Sequence, residues 1–365
     1  MADSVQTQEE VGREAREYPG IAENGERSQA GNELPQAGEE RRVAAHAEGL
    51  QADDAEEEAA DDTEETAVEQ AEEEDPLPID KAQPLTGELV EMREPLFPRD
   101  GDIVEKVRLE HPVRFVTAYK VTYLSQGLRV KGYLVLPRKP ERCPGLVYCR
   151  GGIGRVGMVR LPRLAALAKL GYAVFAPFYR GNDGGEGRDQ FGGDDTQDVC
   201  AAIALLRSQP EVLPRPVALV GFSRGAVNAL QAARDCPDAG PVVVWSGVSD
   251  LLETYEERVD MRRMLKRVVG HPKKDPDAYL DRSPVAWAGR IQPPVLILHG
   301  TADANVSPRQ AGLLADALAA EGRDCTALLF GGEAHAFSRE AEREAMRFLA
   351  RWLENKWTSS TFCHV

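Results

Sequence analysis

Val217-Ala218-Leu219-Val220-Gly221-Phe222-Ser223-Arg224-Gly225 runs from four apolar residues into a Gly-x-Ser-x-Gly pentapeptide, and an Ala-rich stretch from about Ala226 to Arg234 follows. The apolar run reads as a buried strand and the Ala-rich stretch as a helix. A serine between them sits on a tight strand-to-helix turn, where flanking glycines relieve crowding. The turn presents the hydroxyl at the sheet edge and at a helix N-terminus, where developing negative charge is favoured. The pentapeptide alone arises by chance. The strand–turn–helix setting is what makes Ser223 a candidate nucleophile.

The same alternation extends on both sides. Gly145–Cys149 and Ala173–Ala176 read as buried strands, with a helix at Leu161–Leu170 that stops at Gly171. Asp195–Leu206 reads as a helix whose acidic first turn matches its dipole. Further on, Val242–Trp245, Val295–Leu298 and Thr326–Phe330 read as strands, with helices at about Pro308–Glu321 and Arg339–Asn355. Apolar strands alternating with helices predict an α/β fold, with a mostly parallel central sheet and helices on both faces. Ahead of it, Tyr119–Tyr123 and Leu128–Leu136 flank Gln126-Gly127 and predict an antiparallel hairpin. Residues 249–290 are long for a connection between strands. They predict a small insertion, either a solvated surface helix or a lid, carrying the basic piece Met261–Arg267.

A serine hydroxyl needs a base, and the base needs an orienting acid. Six histidines are present, at 46, 111, 271, 299, 335 and 364. His335 lies in a glycine-containing loop just after the last strand, and Asp303 follows the strand before it. Chain order Ser223, Asp303, His335 then places all three at strand ends, where open α/β sheets build their sites. Asp250 and Glu333 are rival acids of lower rank, and His299 reads as a packed turn histidine. For the oxyanion, the expected donors are the N–H groups of Arg224 and Gly151. The Arg150 side chain and Gly152 are further candidates for substrate contact.

Composition bounds the rest. The chain carries a net charge of −16, but residues 1–75 hold 25 acidic and 5 basic residues, and the remainder 35 acidic and 39 basic. An acidic chain does not suit non-specific binding to nucleic acid. Residues 1–80 read as a disordered acidic tail, 81–110 as an extension without clear pattern, 111–357 as the folded domain and 358–365 as a frayed end. No apolar run approaches the roughly 20 residues that span a bilayer, so no membrane partner is expected. The start lacks a secretory signal, and six cysteines without a CxxC pair suit reduced thiols in the cytoplasm. Cys363-His364 supplies only two adjacent ligands, so no metal is expected and no cofactor is needed. Oligomeric state is not legible.

Together, Gly221–Gly225, Leu298-His299-Gly300-Thr301-Ala302-Asp303, Gly332-Glu333-Ala334-His335, Tyr179-Arg180-Gly181 and the Asp195…Asp198 helix start resemble the catalytic domain of prolyl oligopeptidase-family serine hydrolases over about residues 115–355. The resemblance implies an α/β-hydrolase fold with nucleophile, acid and base at Ser223, Asp303 and His335. It implies cleavage of an ester or peptide bond through an acyl-enzyme, on a small ester or a short peptide. Two features depart from the family. No β-propeller fits ahead of the core, and Arg150 stands where the family carries a Tyr or the His of a His-Gly-Gly-Pro run. A small-ester hydrolase without peptidase activity is therefore the alternative. Two remoter readings are a non-catalytic interaction module and an NADP-binding Rossmann protein. The latter rests on the glycine spacing Gly152-Ile153-Gly154-Arg155-Val156-Gly157, with Arg180 rather than an acid on the next strand.

Overall fold

The computed structural model describes residues 86–91, 96–110, 115–138 and 141–359. The expected acidic tail, and the frayed end apart from the backbone at 358–359, lie outside the described residues.

Ten strands form one sheet. They are β1 (Gly87–Leu89), β2 (Ile103–Leu109), β3 (Val116–Ser125), β4 (Leu128–Pro137), β5 (Gly145–Cys149), β6 (Ala173–Pro177), β7 (Val217–Phe222), β8 (Ala239–Trp245), β9 (Val295–Gly300) and β10 (Cys325–Phe330). Their spatial order is β1-β2-β3-β4-β6-β5-β7-β8-β9-β10. From β6 to β10 every pairing is parallel. From β1 to β6 the pairings are antiparallel.

Alternate residues of a strand face opposite sides of the sheet, and here both sides are covered. One layer takes Leu146, Val174, Val220, Val243 and Leu296 against α1 (Leu161–Lys169) and α8 (Arg339–Ser359). The other takes Val147, Phe175, Leu219, Val244 and Ile297 against α2 (Thr196–Ser208), α3 (Gly225–Asp235) and α7 (Arg309–Ala320). Burial on both sides is why these strands are apolar at nearly every position, without the alternation of a half-buried sheet. Leu329, on the outermost strand, is exposed.

Two expectations change and a third gains detail. The patternless extension contributes two strands, β1 and β2. Glu105, Lys106 and Arg108 interrupt the apolar alternation of β2, and a register shift between Ile103 and Glu105 breaks it again. The thiols are not all reduced, because Cys200 and Cys236 are joined by a disulfide. Cys200 lies on α2 and Cys236 ends α3, so packing of two helices brings together residues that no local spacing links. Third, the acids at the start of α2 do more than meet its dipole. Asp195 makes no side-chain cap, and both Asp195 and Asp198 are buried against arginines.

Between β8 and β9, residues 251–290 fold as α4 (Leu251–Glu257), a 3-10 turn at Val259–Met261, α5 (Arg262–Val268), α6 (Pro276–Asp281) and a 3-10 segment at Pro284–Arg290. The underside of this insertion packs Leu251, Tyr255, Leu265 and Tyr279 on Phe191, Val227 and Val306. Gln310 on α7 ties down its start, accepting from the Ser249 and Asp250 N–H groups at 2.8 Å each.

Candidate active site

Ser223 has φ 55°, a left-handed conformation that a non-glycine residue adopts only when its surroundings impose it. The surroundings here are specific. Its N–H donates to Trp245 O on β8 at 3.0 Å, and its carbonyl accepts from Ala226 and Val248. A Cβ on Gly225 would overlap the Cys149 carbonyl oxygen, so α3 can start against the end of β5 only with glycine there. The tight turn read from the sequence therefore follows from contact with both flanking strands.

β9 and β10 supply the other two candidates. Asp303 lies in the turn after β9. Its Oδ1 accepts from the Asn305 and Val306 N–H groups, both at 2.9 Å. Its Oδ2 accepts from His335 Nδ1 at 2.8 Å. His335 follows β10 and is 4% exposed. The two loops approach so closely that a Cβ on Gly300 would overlap the Glu333 carbonyl oxygen. The His335 ring lies 4.9 Å from the ring of Phe222, the residue before Ser223, and Ser246 Oγ donates to His335 O. Serine, histidine and aspartate thus converge on one rim of the sheet from β7, β10 and β9. Replacing Gly300 with Ala should force the acid and base loops apart. Overpacking of this kind costs about 1–3 kcal/mol, so a lower Tm should accompany the loss of activity, and an unchanged Tm would contradict the close approach.

Burial alone would raise the Asp303 carboxyl. Donors from His299 and His335, with the Val306 N–H, hold it well below the usual carboxylate range. His299 Nε2 lies 3.2 Å from Oδ2, so this histidine is not merely packed in a turn. The His-x-x-x-Asp spacing was the available signal, since four residues across a tight turn can bring both side chains together.

The rival acids serve elsewhere. Asp250 caps α4, accepting from Leu252 and Glu253 N–H. Glu333 accepts from the Ser338 N–H and hydroxyl, just ahead of α8.

After β5 the chain passes beside the elbow, and a Cβ on Gly151 would lie 2.9 Å from Ser223 Cβ. The Arg150 side chain does not reach into open space. It is 1% exposed and donates to the carbonyls of Gly151, Gly154, Val156 and Phe178, and to Asp189 at 3.4 Å. Burial and the neighbouring Arg224 push it down to about 10. Gly152 also faces an arginine, its carbonyl accepting from Arg224 Nη1 at 2.8 Å. These contacts weigh against the dinucleotide reading of the glycine spacing. A pyrophosphate needs N–H groups pointing at it and a helix starting at the loop. Here the loop turns its carbonyls onto a guanidinium, and α1 begins only at Leu161.

The Arg224 side chain is buried between two carboxylates, Asp189 at 2.8 Å and Asp195. Burial opposes its charge, but Asp195 and Asp189 together raise it above the ordinary arginine value. Burial would likewise raise Asp189, yet Arg224, Asn182 and Arg150 keep it below its usual range. Sequence reasoning did not pair Asp189 or Asp195 with these arginines. Asp195 was legible only as an acid opening a helix, and nothing local to Asp189 announces two buried cations beside it.

A model of the prolyl oligopeptidase family matches residues 159–360. Over 256 residues the chain is 43% identical to the Bacillus subtilis (strain 168) protein called uncharacterized peptidase YtmA, covering 70% of this chain and 100% of that one. It is 28% identical to dipeptidyl aminopeptidase BIII of Pseudoxanthomonas mexicana over 50% of this chain and 29% of that enzyme. Among solved structures, an acylaminoacyl peptidase of Pyrococcus horikoshii superposes with a TM-score of 0.57 at 20% identity, over 68% of this chain and 45% of that one. The chain thus spans all of the first relative and less than half the length of the other two.

Proposed function

The chain belongs to the prolyl oligopeptidase family, and on that footing we propose that it is a serine hydrolase that cleaves short peptides or small esters through an acyl-enzyme on Ser223. The observation that carries the proposal is the 2.8 Å bond from His335 Nδ1 to Asp303 Oδ2 beside a serine held in a strained turn. With Nδ1 committed to the carboxylate, Nε2 takes the Ser223 proton. The alkoxide attacks the carbonyl carbon and the carbonyl π pair moves to oxygen. The N–H groups of Arg224 and Gly151 hold that oxyanion. His335 then protonates the leaving amine or alcohol, and water releases the acyl group by the same steps in reverse order. Asp303 fixes the imidazole tautomer and stays ionised throughout.

In this reading Arg150 and the Gly152 carbonyl brace the oxyanion loop, the Arg150 guanidinium donating inside the protein and the carbonyl accepting from Arg224. The insertion serves as a lid beside the acid's turn, on which it rests through Val306 and through the Arg258 bond to Asn305 O. Its partly buried Met261 and Met264 join Ile153 of the oxyanion loop in one apolar cluster, which suits an apolar side chain on the substrate.

A fluorophosphonate probe tests the proposal without a known substrate. Its phosphorus bonds to the Ser223 oxygen and fluoride leaves. Wild type should be labelled, prior heat denaturation should prevent it, and Ser223→Ala should abolish it. Labelling that survives in Ser223→Ala would refute the assignment. Turnover of aminoacyl amides beside p-nitrophenyl esters then separates peptidase from esterase.

A further inference from the structure

His299 is the penultimate residue of β9 and is fully buried. Its Nε2 lies 3.0 Å from the Val306 carbonyl oxygen and 3.2 Å from Asp303 Oδ2. Both partners are acceptors at neutral pH, so Nε2 carries the proton and shares it between them. Among the described residues its Nδ1 is buried without a hydrogen-bond partner. A leucine would fill this strand end without burying an unsatisfied nitrogen, so packing alone does not account for a histidine here.

We propose that His299 is a positioning residue, whose Nε2–H donates to the same Asp303 oxygen that receives His335 and so fixes the rotation of the carboxylate against the base. The contact geometry leaves little else to do that work. Oδ1 is fixed by two backbone N–H groups on its own turn. Those bonds set the position of the carboxyl group, but Oδ2 would answer to His335 alone, and His335 is carried on a separate loop after β10. His299 belongs to the sheet itself, paired in register with Leu329 of β10. It therefore references the acid to the rigid part of the molecule rather than to the loop that carries the base. By bridging Asp303 to Val306 it also closes the turn 303–306 against the strand end. A misplaced acid costs rate without touching the substrate, and small displacements in such positioning shells lower rates by about 10- to 100-fold.

This inference rests on the serine-hydrolase proposal, and the test separates the two. The fluorophosphonate labelling rate and the kcat and KM for a p-nitrophenyl ester would be measured for wild type, His299→Gln and His299→Asn. The glutamine amide reaches the place of Nε2 and can donate to Oδ2, whereas the shorter asparagine amide sits at the place of Nδ1. His299→Gln should stay close to wild type. His299→Asn should lose about 10- to 100-fold in kcat and in labelling rate with KM unchanged. Combined with Asp303→Asn, His299→Asn should add no further loss, because the residue acts only through that carboxylate. Wild-type labelling by a folded His299→Asn variant, equal losses for Gln and Asn, or full additivity with Asp303→Asn would each overturn the proposal. Absence of labelling in wild type itself would instead remove the hydrolase reading beneath it.

Discussion

Replacing His335 with alanine will lower kcat for a p-nitrophenyl ester by about 10⁴- to 10⁶-fold while leaving KM little changed. In the proposed mechanism the imidazole acts twice in each cycle, first as base toward Ser223 and then as acid toward the leaving group. It contacts the substrate only in the transition states, so its loss should leave ground-state binding intact. The N–H groups assigned to the oxyanion belong to the backbone of residues 224 and 151 and survive the change, which sets the floor of residual activity. Asp303→Asn should fall by about 10⁴-fold, because an amide facing His335 Nδ1 favours the wrong tautomer. Turnover by His335→Ala within tenfold of wild type would remove the base assignment.

Removing the Asp195 carboxylate should be the most damaging change to stability. Arg224 and Asp195 are 1% and 0% exposed at their side chains, and Arg150 adds a second buried cation near the same two carboxylates. Asp195→Ala leaves two guanidinium groups sharing Asp189. Deleting one partner of a buried pair costs about 3–5 kcal/mol, since the remaining charge stays desolvated. Asp195 also accepts from the Gly192 and Gly193 N–H groups and from Asn228, so those donors lose their acceptor too. An exposed pair gives the contrast. Lys120 and Asp183 are 35% and 38% exposed at 2.5 Å, and Asp183→Ala should cost less than about 1 kcal/mol. Urea unfolding of both variants would measure the difference. Similar midpoints would mean that the buried network carries no net stability.

The sheet and the three candidate side chains were legible because they depend on local pattern. A strand buried on both faces must be apolar at every position, as β5 and β6 are, and a serine elbow needs its glycines in sequence. Gly300 is a local mark of the same kind, although the overlap that requires it involves Glu333 on the next loop. What stayed hidden depends on distance along the chain. Asp189 looks like a loop acid and Asp195 like the acid of a helix start until the fold sets them beside Arg150 and Arg224. Cys200 and Cys236 look like isolated thiols until α2 meets α3. Arg150 looked able to reach a substrate because its position after β5 is readable and its rotamer is not. His299 lay between these cases. Its spacing to Asp303 was on the page, but an apolar strand favours a packed ring over a polar contact.

Of the strands that carry Ser223, Asp303 and His335 at their ends, β7 is separated from β9 by β8 and the insertion while β9 and β10 are consecutive, and each of the parallel pairings between them spans a crossover. Serine is translated first and the base last, so a growing polypeptide carries the elbow long before it carries anything able to activate it. Under the proposed mechanism a ribosome-bound precursor is inert as a hydrolase until β10 has docked, and competence appears late, as a property of the finished sheet. Pairings of such long sequence separation form slowly, which makes the docking of that last strand the step that sets when hydrolysis can begin.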